Sequence, residues 1–152
     1  MIVLECGRSI RQKMKKILIV DDDESILLLY TEILGKAGYE VHSSEDGASA
    51  IIKYQMIKPD LVLLDFEIPA GGGLGVLKGL RGALAQAVPV LFVTGHTEAE
   101  IGVALKFYRV GYLKKPFTRD DLLTKVRETF ENIPQSAPQA ESLPPQSTDP
   151  PR

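Results

Sequence analysis

The chain has 152 residues, enough for one domain with a proper core and too few for two ordinary ones. Charged residues make up 25% of it and the formal net charge is only −2, so neither nucleic acid nor an anionic membrane is advertised as the main partner. Its single cysteine, Cys6, excludes an internal disulfide framework and a multi-cysteine metal site, which suits a reducing compartment.

Residues 1–13, "MIVLECGRSIRQK", show no clear period and read as an appendage, disordered or not, ahead of a compact domain over 14–133. They place apolar residues before basic ones, the reverse of a secretory signal, and no apolar run in the chain approaches the ~18 residues of a membrane span. The expected location is cytoplasmic. "KILIV" at 16–20 reads as a strand and runs straight into Asp21, Asp22, Asp23 and Glu24. Two carboxylates about 5 Å apart repel by roughly 3 kcal/mol at an effective dielectric of about 20. The cluster therefore needs either a cation or the start of a helix, and a helix is expected from near Ser25.

Further strands are expected at 39–44 ("YEVHSS"), 60–65 ("DLVLLD"), 88–94 ("VPVLFVT") and 111–115 ("GYLKK"), with helices from near Asp46, Gly73, Thr97 and Thr118. In the last helix Thr118 is the expected N-cap, and Leu122, Leu123, Val126, Phe130 and Ile133 form one apolar stripe. Alternating βα units with near-uniformly apolar strands predict an α/β protein: a (βα)5, doubly wound, parallel five-stranded sheet covered by helices on both faces. From Pro134 to Arg152 the composition changes to a proline-rich segment holding six of the ten prolines, with almost nothing to bury. A disordered tail over 134–152 is the expectation.

Sites in such sheets form at the carboxyl ends of the strands. The first strand is followed there by Asp21 and Asp22, the third ends in Asp65, the fourth in Thr94, and the fifth in Lys115 followed by Pro116. Carboxylates in this number suit a hard cation such as Mg2+, while a hydroxyl and an ammonium suit a phosphoryl group.

Taken together, "ILIVDDDES", "LVLLDFEIP", "VLFVTGH" and "YLKKPF" resemble, in order, the four signature blocks of the response regulator receiver domain, of the stand-alone chemotaxis-regulator kind. The resemblance implies a flavodoxin-like strand order, 2-1-3-4-5, and a phosphoacceptor of a two-component system rather than a turnover enzyme. It implies that Asp65 takes a phosphoryl group from a histidine kinase or phosphotransfer protein. It further implies that Asp22, Asp65 and the backbone carbonyl of Glu67 bind Mg2+ directly, with Asp21 acting largely through water. Thr94 would hydrogen-bond the phosphoryl oxygens, Lys115 would pair with them, the Lys115–Pro116 bond would be cis, and Tyr112 would be the switch aromatic. Glu67 and His96, two residues after Asp65 and Thr94, would flank the path of a hydrolytic water, where His96 can pair with Glu67 or with the phosphoryl group. The implied output is a protein target bound at the surface of the fourth helix, fifth strand and fifth helix, with no direct contact to nucleic acid.

Plainer readings stand beside these. Asp23 and Glu24 fit a helix start, because the helix dipole favours acids there. His42 reads as a surface residue. Thr94 and Lys115 taken singly are ordinary, and Tyr112 alone is a packing residue. Gly72, Gly75, Gly79 and Gly82 fall opposite Leu74, Leu77, Leu80 and Leu84 on the third helix, which predicts an exposed glycine face and a fraying helix. The run "KFYRVGY" departs from the family before the fifth strand, leaving Phe107 and Tyr108 either exposed or in the core. Two rival functions are a haloacid dehalogenase-like phosphatase, reading Asp21 and Asp23 as its paired acids, and a pseudo-receiver that binds partners without phosphotransfer. The phosphatase reading also calls for a further acidic strand end after the lysine and usually a cap insertion, and neither appears, because Lys115 is followed by the last helix.

Overall fold

The computed structural model describes residues 14–68, 72–83, 88–102 and 110–131. The 1–13 segment, the proline-rich tail, Phe107, Tyr108 and Ile133 lie outside them. Five strands alternate with helices: β1 Lys16–Val20, α1 Glu24–Lys36, β2 Glu40–Ser44, α2 Gly47–Ile57, β3 Leu61–Asp65, α3 Gly72–Ala83, β4 Val90–Thr94, a helix α4 that opens at 98 and is described to 102, β5 Gly111–Lys114 and α5 Arg119–Glu131. All pairings are parallel and the order is β2-β1-β3-β4-β5, the flavodoxin-like arrangement.

The apolar runs become strands because both faces of the sheet are covered. Ile17 and Ile19 of β1 pack with Leu27, Tyr30 and Leu34 of α1 and Leu122 and Val126 of α5. Leu18 and Val20, pointing the other way at period two, pack with Ala50 and Tyr54 of α2 and Val76, Leu77 and Leu80 of α3. Each fully buried aliphatic side chain stabilises by about 1.5–3 kcal/mol, so the central strands hold the domain together. The edge strands β2 and β5 are only half-buried along most of their length.

Helix starts follow local side-chain chemistry. Asp23 caps α1, its Oδ1 accepting the Ser25 N–H at 2.9 Å, and Asp46 caps α2 by accepting the Ser49 N–H at 2.7 Å. Thr118 accepts the Asp121 N–H at 3.1 Å while the Asp121 carboxylate accepts the Thr118 N–H at 2.9 Å, a reciprocal cap. In the expected stripe of α5, Leu122 and Val126 are buried and Leu123 and Phe130 partly so.

The glycine face of α3 is not the uniformly open surface its helical phase predicts. Gly75 has open space around it, but a Cβ on Gly79 would meet Ile51 Cδ1 of α2 at 2.9 Å. The correction has a simple cause: α2 packs along α3 and inserts Ile51 where Gly79 leaves room, just as Val76 lies over Gly47 of α2. Gly72 takes φ +68, a left-handed turn that glycine enters without penalty. Gly73 lies against the end of β3 so closely that a Cβ there would sit 2.3 Å from the Asp65 carbonyl oxygen.

Candidate functional site

Four strand ends meet at one edge of the sheet. Asp21 follows β1 and is buried, its N–H donating to the Ser44 carbonyl at the end of β2 at 3.1 Å. Asp65 ends β3 and Thr94 ends β4, both buried, whereas Asp22 is exposed. Lys115 stands one residue beyond β5, and its N–H donates to the Thr94 carbonyl at 2.7 Å. The Lys115–Pro116 peptide is cis.

A shared device orients these side chains. The Asp23 N–H donates to Asp21 Oδ1 at 2.9 Å, the Glu67 N–H to Asp65 Oδ1 at 3.0 Å, and the His96 N–H to Thr94 Oγ1 at 3.2 Å. In each case a strand-terminal acceptor takes the amide two residues on, which turns the chain and fixes one oxygen of the side chain.

Oxygens of Asp21, Asp22 and Asp65 lie within 4.8 Å of one another. Lys115 Nζ is 3.4 Å from Asp21 Oδ2 and 3.7 Å from Asp65 Oδ2. One ammonium thus faces two of the three carboxylates. Burial pushes the Asp21 carboxyl above its ordinary value, the Asp65 charge adds to that, and the Asp23 N–H and Lys115 oppose it. This donor set fits a hard divalent cation: oxygen ligands only, two of the carboxylates buried, and more negative charge than the lysine offsets. The Asp21 oxygens are each engaged, one by the Asp23 amide and one by Lys115, whereas Asp22 projects from the exposed side.

The rim is built by Glu67, His96 and Tyr112. His96 Nε2 lies 2.5 Å from Glu67 Oε1, the pairing that the sequence made possible. Phe66 stands edge-on to the imidazole, with centroids 5.3 Å apart. The Tyr112 hydroxyl donates to the His96 carbonyl at 2.5 Å, and burial followed by the charges of Glu98 and Glu100 raises its pKa. His42, as expected, stays away from the site at the edge strand and faces Glu40 at 2.8 Å.

Three participants were missed in the sequence. Tyr30 of α1 is buried, pairs with Phe117 at 5.6 Å between centroids, and has its phenol pKa raised by burial and then by Asp21, Asp65 and Asp23. Nothing in its local sequence marks it as a neighbour of the acids. Gly73 backs Asp65 directly, a contact that no local pattern reveals. Glu100 meets His96 Nδ1 at 3.4 Å, and its signal was legible: "TEAE" at 97–100 is a capping box, three residues from cap to acid.

Two kinds of likeness bear on this geometry. The chain is 34% identical over 128 residues to the alkaline phosphatase synthesis transcriptional regulatory protein PhoP of Bacillus subtilis, covering 84% of this chain and 53% of that protein. It is 32% identical over 114 residues to the DNA-binding response regulator MtrA of Mycobacterium tuberculosis, covering 74% of this chain and 49% of the relative. The chain therefore spans about half the length of these curated relatives. Among solved structures, the chemotaxis protein CheY4 of Vibrio cholerae superposes with a TM-score of 0.72 at 32% identity, over 76% of this chain and 98% of that one. No described helix is long and apolar enough to cross a membrane. The family model for the response regulator receiver domain matches residues 17–127, from the first strand into the last helix and across every strand end that builds the acidic pocket. With Asp23 accounted for as a helix cap rather than as half of a phosphatase acid pair, the chain belongs to the response regulator receiver domain family of two-component systems.

Proposed function

We propose that Asp65 is a phosphoacceptor, phosphorylated in a Mg2+-dependent reaction by a histidine kinase or a phosphotransfer protein. The observation that carries this reading is the position of Asp65: at the end of a fully buried central strand, grouped with Asp21 and Asp22 and 3.7 Å from Lys115 Nζ. Following the family resemblance, Mg2+ would be held by Asp22, Asp65 and the Glu67 carbonyl, with Asp21 acting largely through water. When bound, it supplies neutralising charge to the carboxylates and the phosphoryl oxygens.

The remaining work falls to the chain. Asp65 Oδ2 attacks phosphorus, the bond from phosphorus to the donor imidazole nitrogen breaks, and the imidazole leaves with that electron pair and exchanges its proton with solvent. The Lys115 ammonium and the Thr94 hydroxyl lie at neighbouring strand ends, fixed in advance, so stabilising the transferred group costs little reorganisation. A phosphoryl group there draws Thr94 and Lys115 toward it and biases Tyr112 and the surface of α4, β5 and α5. That surface is the proposed protein-protein output, in a cytoplasmic setting. The names of PhoP and MtrA describe transcriptional and DNA-binding regulators, so a DNA-directed output belongs to those whole proteins; for this domain the recognition we propose is of protein. The protein is a phosphoacceptor that assists its own phosphorylation and dephosphorylation and is not a turnover enzyme.

Labelling with acetyl phosphate, with and without Mg2+, tests the reading. One phosphoryl group per chain, lost in Asp65→Asn without loss of fold, is expected. Undiminished labelling of Asp65→Asn would sink the assignment, complete failure to label would favour the pseudo-receiver, and continuous release of phosphate would favour a phosphatase.

A further inference from the structure

The rim contains a three-residue bridge. Glu67 comes from the turn after β3, His96 from the turn after β4, and Glu100 from the first turn of α4. The imidazole stands between the two carboxylates, Nε2 at 2.5 Å from Glu67 and Nδ1 at 3.4 Å from Glu100. The backbones of Glu67 and His96 are tied to Asp65 and Thr94, so the bridge spans two adjacent strand ends on the solvent side of a buried Asp65. Glu100 is itself held: its Oε2 accepts the Thr97 N–H at 2.5 Å and the Thr97 hydroxyl at 3.0 Å, and its N–H donates to Thr97 Oγ1 at 3.3 Å. These bonds hold its carboxyl below the ordinary value. The Phe66 ring and the hydrogen bond from Tyr112 to the His96 carbonyl close two further sides.

We propose that Glu100 is a positioning residue for the phosphorylated site: by holding the second nitrogen of His96, it keeps the imidazole against Glu67 and so restrains water from reaching the acyl phosphate on Asp65. This rests on the phosphoacceptor reading above. The step it slows is hydrolysis, in which a water oxygen bonds to phosphorus, the bond from phosphorus to the Asp65 oxygen breaks, the carboxylate is regenerated, and inorganic phosphate leaves with the water protons shared with solvent. Because the same carboxylate caps α4, the lifetime of the phosphoryl group becomes tied to whether the first turn of α4 is formed. A helix that moved or frayed at residue 98 would release His96.

The test is a double-mutant cycle on the full chain. Glu100→Gln keeps a capping side chain and lies on the surface, so the fold is retained. It should shorten the half-life of the phosphorylated protein about threefold, the scale of coupling between contacting residues. In a His96→Ala background Glu100→Gln should change nothing further, since its effect runs through the imidazole. Equal shortening in both backgrounds, or no shortening in the wild-type background, overturns the proposal. A second measurement stands whether or not the protein is phosphorylated. The chain has two histidines, so proton NMR resolves two imidazoles, and Glu100→Gln should shift the ring signals of His96 while leaving those of His42, which faces Glu40, in place. Unmoved His96 signals overturn the positioning role; moved signals with no labelling of the wild type leave the bridge intact and sink only the phosphoacceptor reading.

Discussion

The pocket has two sides built from the same residue types with opposite energetics. On the inner side Asp21 and Asp65 are buried, with side-chain exposures of 4% and 10%, and both carboxylates face the half-buried Lys115. On the rim Glu67, His96 and Glu100 hold similar carboxylate contacts at side-chain exposures of 64%, 31% and 56%, where water competes for every one. Repulsion between carboxylates whose oxygens lie within 4.8 Å is worth about 3 kcal/mol at an effective dielectric of about 20, whereas an exposed ion pair is worth about 0–1 kcal/mol. The inner side is thus suited to charge that must appear and be neutralised, and the rim to contacts that can be made and broken without unfolding anything.

The sharpest way to break this contrast is at the backing of the inner side. Gly73→Ala forces a methyl to within 2.3 Å of the Asp65 carbonyl and 2.8 Å of Phe66 Cα, both backbone atoms that cannot swing away. Overpacking of this kind costs about 1–3 kcal/mol or more. Urea denaturation should show a loss in that range together with weaker phosphorylation of Asp65, because the peptide carrying it must move. A neutral effect on both would show that the β3 end is softer than its burial implies.

A second test uses the buried charge itself. With EDTA present, the raised pKa of Asp21 means that the folded chain binds its proton more tightly than the unfolded one. Its stabilising contribution is full below the ordinary value of 3.8 and is lost as pH rises through the folded value. The helix-capping acids Asp46, Glu100 and Asp121, all lowered, act in the opposite sense: their contribution is present above the ordinary values and is lost as pH falls through the folded ones. Thermal melts of Asp21→Asn should therefore lose the decline in stability on the alkaline side of 3.8 while keeping the acid-side loss. Superimposable pH profiles would show that the Asp21 charge is already solvated.

Smaller effects are expected on exposed surfaces. Gly75→Ala, two residues from Gly73 on the same helix, meets nothing within 4 Å and should stabilise by up to about 1 kcal/mol in urea denaturation through helix propensity. The opposite signs expected at Gly73 and Gly75 make the pair a direct measure of how far burial, rather than residue type, decides the outcome. Removal of residues 134–152 should matter least, with a melting temperature within a few degrees of the full chain, given the absence of large apolar side chains other than Leu143. Loss of cooperative unfolding would mean that the segment packs.

Much of the site was legible because chemistry and strand pattern coincide. An apolar run followed at once by acids, as at Val20–Asp21 and Leu64–Asp65, marks a buried strand and its end in the same few letters, and Thr94 and Lys115 stand at the ends of two more. Strand limits agreed to within one or two residues for the same reason, and helix starts were marked by Asp23, Asp46 and Thr118, whose capping reaches only two or three residues along the chain. The contacts that escaped were those between segments distant in sequence. Gly79 looked exposed because its helical phase places it opposite the leucines, yet which neighbour lies against that face depends on how α2 seats on α3. Tyr30 went unmarked because nothing local says that its turn of α1 rises beside the acids. His96 and Glu67 are far apart in the chain and meet only because β3 and β4 pair in register, and Glu100 joins them because α4 begins where that turn ends. The sequence by itself determined the strands, their acidic ends and the caps, since those follow from periodicity and short-range hydrogen bonding. Only the tertiary structure decided which side chains share a partner, since that is set by the seating of helices on the sheet, to which local propensity is blind.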